Sequence, residues 1–187
     1  VLVTGRLAGL LRTGPSLAVL DREYARAGRV DEAAPVQARH RLAVAAPAGQ
    51  VWRLITDVGG WPRWCGGVHE VLVDGPELRP GAEFRWRNGK NRIRSTVSTL
   101  IPEREVSWTG ACSGARAVRR HLLAPAADGG TLLTVEESMS GFLLPLFYDS
   151  GKLQTATGAW LEALRKTAER EWRDGIQPGQ SGSSVPA

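Results

Sequence analysis

Three ionisable residues stand on strand faces that otherwise look inward: Arg119, His121 and Glu137. Arg119, His121 and Leu123 share one face of the alternating run from Ala115 to Leu123. Glu137 shares a face with Leu133 and Val135 in the run from Thr131 to Met139. The two runs are separated by the turn signal Asp128-Gly129. As hairpin neighbours they would bring Glu137 towards Arg119 or His121. Buried charges persist only when paired. A carboxylate beside a cation in a pocket can polarise a carbonyl or move a proton. The same pair could equally be an ion pair that only closes the sheet.

Other chemistries find no support. His40, His69 and His121 have no ligand partners at metal spacing, so no metal and no cofactor is expected. No serine sits in a nucleophile-elbow context, and Gly-rich phosphate motifs are missing. Cys65 and Cys112 are far apart; a reduced pair is expected, with Cys65 an inert thiol near a pocket mouth. The net charge is +5 and the only lysines are Lys90, Lys152 and Lys166, so arginine carries the positive charge. No basic run is interleaved with aromatics, and nucleic acid is not an expected partner. No apolar run reaches the roughly 18 residues of a membrane span. With no cleavable-signal layout, the expectation is a cytoplasmic protein without an integral membrane segment.

The elements that must position these residues follow from periodicity. Leu153, Thr157, Trp160, Leu164 and Ala168 recur at spacings of three and four and form one stripe of a long helix from about Leu146 to Arg173. Asp149 or Ser150 can cap it, and Gly175 and Pro178 follow its last turn. Before it come a first strand from Gln37 to Ala45 and a short helix holding Val51, Trp52, Leu54 and Ile55. A strand from Val68 to Val73 is followed by a hairpin from Gly81 to Thr99, then by strands from Glu105 to Thr109, Ala115 to Leu123 and Thr131 to Met139. Asn88-Gly89 has the composition of a type I′ turn, which would pair Arg85 with Arg92 and Glu83 with Arg94. The opposed arginines are either an anion site or a solvated face. Many strands before one long helix predict an α+β fold, a curved antiparallel sheet wrapped round the C-terminal helix.

The phrases Ala46-Pro47, Val51-Trp52, Asp57 and Trp61-Pro62-Arg63-Trp64, then Gly130-Thr131, Val135-Glu136-Glu137-Ser138 and Gly141, resemble the START-related (SRPBCC) superfamily. Within it they look like the polyketide cyclase/dehydrase branch, over Gln37 to Arg173. The resemblance implies a helix-grip fold: about seven antiparallel strands round the long helix, two short helices after the first strand, and a deep apolar cavity between them. The family includes aromatic polyketide cyclases and carriers of lipids and hormones. Its members often carry a histidine where Arg119 stands, so this chain would hold a fixed cation instead.

Strand alternation points Phe84, Trp86, Trp108, Val135 and Met139 into that cavity, with Leu153 and Trp160 facing them from the helix. Phe147 or Tyr148 falls near its mouth, and Trp64, Phe147 and Tyr148 join the candidate ligand-binding residues. Arg119, His121 and Glu137 are the candidate acid/base groups. The expected partner is a small hydrophobic ligand. Three readings stay open: a cyclase-like enzyme, a carrier or sensor of a lipid-like metabolite, and an interaction module that receives a peptide or lipid head. The expected organisation is an arm over residues 1–36, a ligand-binding domain over 37–174 and a flexible tail over 175–187. Ser16 to Ala27 should form a short helix in the arm, with Leu17, Leu20 and Tyr24 on one face. The arm either lies loosely on the main domain or exchanges with a second copy in a homodimer.

Overall fold

The structure, a computed structural model, describes residues 13–75, 77–127 and 129–175. Most of the expected tail and the start of the arm lie outside these residues. The chain opens with α1 (Leu17–Val19), capped by the Ser16 hydroxyl accepting from the Val19 N–H, and runs into a wider π turn over Leu20–Ala25. β1 (Val36–Val44) follows, then α2 (Ala48–Thr56) and a 3-10 turn over Val58–Arg63. Six more strands come next: β2 (Val68–Val73), β3 (Glu83–Asn88), β4 (Asn91–Ile101), β5 (Glu105–Cys112), β6 (Ala115–Pro125) and β7 (Thr131–Ser140). A short α3 (Leu144–Phe147) precedes the long α4 (Ser150–Gly175). The seven strands form one antiparallel sheet in the order β1-β7-β6-β5-β4-β3-β2, curled round α4 as a helix grip. Among the described residues no helix is long and apolar enough to cross a membrane.

The α4 stripe buries as its spacing requires: Leu153, Thr157, Trp160, Leu164 and Ala168 are all inside. Its start differs from the expected one. Leu146 and Phe147 belong to the separate α3, and α4 begins where the Asp149 carboxylate accepts the Lys152 N–H at 2.8 Å. β2 and β4 carry bulges, between His69 and Leu72 and between Val97 and Thr99. Bulges increase local twist and bend, which a sheet closing on a helix needs.

The β3–β4 hairpin departs from the expected pairing. Asn88 pairs with Asn91, so the loop is Gly89-Lys90. A positive φ is present at Gly89, the first loop position, where glycine is tolerated; a type I′ loop at Asn88-Gly89 needs it at both positions. Arg85 therefore faces Arg94, Arg87 faces Arg92, and Glu83 faces Thr96. The slip is two residues, so every side chain keeps its expected face.

The arm docks on the convex side of the sheet. Leu20, Ala25 and Val118 are buried together, with Leu17 and Tyr24 against them. Arg116 donates to the Pro15 carbonyl at 3.1 Å, and the Asp31 N–H donates to Ser138 at 3.0 Å. Under the arm Arg120 bridges Glu105 and Glu136 at 3.0 and 2.8 Å. The expected alternative of a loose arm therefore gives way to a packed layer. Leu20→Ala should lower stability by about 2–4 kcal/mol, the usual range for a buried leucine. Urea unfolding would measure it as a lower midpoint at unchanged slope; a shift near zero would mean the arm adds nothing.

Candidate functional site

β6 and β7 set the centre of the site by register. Arg119 lies directly opposite Glu137, and Glu137 lies opposite the small Ala38 of β1. Arg119 Nη1 donates to Glu137 Oε2 at 3.1 Å, with both side chains about nine-tenths buried, at 12% and 10% exposure. Thr157, one turn before Trp160 on α4, donates to the same oxygen at 3.3 Å. Arg119 Nε donates to His121 Nε2 at 3.2 Å. The guanidinium stands 4.8 Å from the centre of the Trp160 ring, a cation–π contact made stronger by burial. Its remaining terminal nitrogen, Nη2, is buried and meets no acceptor among the described residues.

His121 is fully buried between the Trp108 and Trp160 rings, at 4.6 and 5.4 Å. Burial first, and the Arg119 charge second, push its pKa well below 6.5, against a smaller raising effect from the Val106 backbone. Since Nε2 accepts from Arg119, the ring is neutral with its proton on Nδ1. It orients the guanidinium and, being neutral, cannot serve as an imidazolium acid at neutral pH. Glu137, Arg119 and His121 thus form one cluster, in which the register selects Arg119 as the carboxylate's partner.

The walls are aromatic. Phe84, Trp108, Val135, Leu153 and Trp160 are buried, while Trp64, Trp86, Met139 and Tyr148 are partly so. Phe147 turns away and is 73% exposed. The open cavity expected between sheet and helix has its middle filled by a residue outside the expected lining. Trp61 is 1% exposed, and its ring lies 5.8, 5.4, 5.7 and 5.9 Å from Phe84, Trp86, Trp108 and Trp160. The 3-10 turn delivers it: the Asp57 carboxylate accepts the Gly60 N–H and binds Arg63 at 2.6 Å, and the Trp61 indole N–H donates to the Ile55 carbonyl. A Cβ on Gly60 would crowd the Asp57 carboxylate and the Arg63 guanidinium, so a larger residue here would have to displace that ion pair. The Trp61-Pro62-Arg63-Trp64 phrase was the available signal. Thr157 was also missed; its sign was a hydroxyl in an otherwise apolar stripe.

Filling the middle leaves the site at one end of the aromatic stack. Cys65 and Tyr148, both about half buried, feel the Arg119 charge from the surrounding loops. Burial raises the Cys65 thiol, opposed by the Gly67 and Val68 backbone and by Arg119, so it stays a thiol. Burial and then Glu137 raise the Tyr148 phenol, opposed by Arg119, so it stays a hydrogen-bond donor.

A family model described as polyketide cyclase / dehydrase and lipid transport matches residues 35–176. The chain belongs to that family. A hypothetical protein, jhp0584 of Helicobacter pylori, superposes with a TM-score of 0.65 at 13% identity, covering 73% of this chain and 90% of that one. The ZhuI aromatase/cyclase of Streptomyces sp. R1128 superposes with a TM-score of 0.59 at 17% identity, covering 78% and 98%. A START superfamily protein of Mycobacterium smegmatis gives a TM-score of 0.58 at 17% identity, covering 74% and 97%. Comparison with curated proteins found no match. At such identities these structures establish the fold, and activity must come from the site.

His121 sets a pH dependence. Between its depressed folded pKa and the ordinary 6.5, the unfolded chain takes the proton and the folded chain refuses it. Its contribution is complete above about pH 6.5 and is lost as pH falls below that. The melting temperature should therefore drop on acidification from neutral pH. His121→Gln, which keeps an acceptor for Arg119, should flatten that slope in scanning calorimetry across the same pH range.

Proposed function

We propose that the chain binds a small, largely apolar or aromatic molecule of polyketide type, bearing a carbonyl or hydroxyl oxygen, at the Arg119 end of the aromatic stack. The observation that carries this reading is the buried Arg119 Nη2, which meets no acceptor among the described residues while Glu137 and His121 hold the rest of the guanidinium. An unmet buried donor costs about 1–3 kcal/mol, which a ligand oxygen would recover. Glu137 already balances the Arg119 charge, so an uncharged oxygen suits the position better than a second carboxylate. Trp64, Trp160 and Tyr148 supply apolar and aromatic surface, the usual make-up of a small-molecule site. The family description, which joins cyclase/dehydrase chemistry with lipid transport, is compatible with such a ligand.

A second reading adds acid/base help in cyclisation and dehydration. Donation from Arg119 to a ligand carbonyl would acidify the adjacent C–H, and Glu137 would take that proton. The enolate carbon would attack a second carbonyl of the same chain, and the proton would pass to the new alkoxide. The observation favouring it is a carboxylate and a fixed cation 3.1 Å apart beside a protonated Tyr148 phenol. Without such chemistry the same site serves a carrier or sensor.

A pair of bicyclic probes separates these readings. 1-Tetralone and tetralin differ by a carbonyl oxygen. Calorimetric titration should show tetralone binding about tenfold tighter or more, at least 1.4 kcal/mol. The neutral pair Arg119→Gln/Glu137→Gln should erase the difference; equal affinities for the two probes in the native protein would sink the proposal. Proton NMR in D2O then reads chemistry as exchange of the tetralone α-protons. Acid/base action predicts exchange faster than in buffer, lost in Glu137→Gln while affinity stays within about tenfold. Exchange no faster than buffer leaves binding without catalysis.

A further inference from the structure

The outer face of the sheet carries a second concentration of charge, far in character from the apolar interior. Register places Arg85 opposite Arg94, Arg94 opposite Ala111, and Ala111 opposite Arg116, one row across β3, β4, β5 and β6. Arg87 opposite Arg92 forms the next row on the same face. Like charges directly opposed across strands destabilise a sheet. Here two such pairs stand side by side. Ala111, the small residue of the row, leaves room between its charged neighbours. The five arginines line one surface concavity of about 440 Å³.

Almost nothing among the described residues neutralises them. Glu70 is the carboxylate that lines the concavity, and it binds Arg87 Nη1 at 2.8 Å. The β2 bulge holds Glu70 there, at φ 50°. Arg87 Nε remains buried with no acceptor among the described residues. Arg116 donates to the Pro15 carbonyl, a neutral partner. Among the described residues no carboxylate forms an ion pair with Arg85, Arg92, Arg94 or Arg116.

We propose that this concavity is a binding site for the di- or triphosphate group of an organic phosphate ester. Five guanidinium groups against one carboxylate leave four positive charges facing the concavity. A single phosphate, at about −2, would offset half of that. A di- or triphosphate matches it. Strands lie about 4.8 Å apart, so Arg94 and Arg116, one strand removed, stand about 10 Å apart at the backbone, a span that linked phosphoryl groups can bridge. Guanidinium forks suit phosphoryl oxygens, which they bind in pairs. Leu72, 68% exposed at the rim, and the half-buried Cys112 offer apolar contact for the organic part of the ester. A bounded concavity favours a discrete ligand over a flat anionic bilayer. The site stands apart from the internal one and does not depend on its role.

The test is calorimetric titration of the full chain with sodium pyrophosphate, ADP and sodium sulfate, at about 150 mM salt, where long-range attraction is screened. Pyrophosphate and ADP should bind at least tenfold more tightly than sulfate. Arg85→Gln/Arg94→Gln should weaken both by tenfold or more without lowering the melting temperature, since it removes opposed charges. Glu70→Gln should strengthen both. Equal binding of sulfate, or undiminished binding by the double variant, overturns the proposal. Flotation with phosphatidylglycerol/phosphatidylcholine vesicles forms the other arm; vesicle binding without pyrophosphate binding would assign the face to a membrane surface and overturn it too.

Discussion

A salt bridge inside an aromatic wall is the constraint on which the interior depends. Arg119 and Glu137 face each other across β6 and β7, and each side chain is almost fully withdrawn from water. Desolvating two charges costs several kcal/mol per ion, and the pair repays it only with good geometry and further hydrogen bonds. The fold supplies these from three directions: Thr157 from α4, His121 from the same strand, and the face of Trp160. That arrangement fixes how α4 sits against β6 and β7. It also dictates the state of His121, which must stay neutral to accept from the guanidinium. Among the described residues Arg119 Nη2 and His121 Nδ1 stay buried without a hydrogen-bond partner.

Around the pair, aromatic packing decides how much room a ligand has. Trp61 touches four other aromatic side chains and closes the middle of the space between sheet and helix. Edge-to-face contacts dominate, the arrangement that ring quadrupoles favour. Trp61 depends in turn on Asp57 and Gly60, which hold the turn that carries it. Family and fold therefore agree with a ligand-binding reading, and Trp61 occupies the middle of the space between sheet and helix. The convex side follows a different logic: the arm packs Leu20 and Ala25 against Val118 of β6, and the arginines of β3, β4 and β6 line a concavity.

Much of this was legible in the sequence because side-chain period encodes which face a residue occupies. The seven strands, the α4 stripe and the inward faces of Arg119, His121 and Glu137 all follow from alternation of two or from spacings of three and four. The β3–β4 hairpin shows the strength and the limit of that code. Its loop lies one residue later than the Asn88-Gly89 composition suggests, yet a slip of two in pairing keeps every face. Face assignment is insensitive to such an error, whereas partner assignment is not.

Tertiary structure decided what depends on partners distant in the chain. That Glu137 meets Arg119 through a carboxylate–guanidinium bond, with His121 as a neutral support, is set by the β6–β7 register and by burial. Trp61 read as one member of a Trp-rich phrase; only the 3-10 turn, with the curved sheet closing over it, put it at the centre. The π turn at Leu20–Ala25 and its seat on Val118 required a surface that exists only after β6 has joined the sheet. The row of Arg85, Arg94 and Arg116 is likewise invisible along the chain, because it runs across strands. The sequence determined faces through local periodicity, and the fold determined neighbours through register and long-range burial.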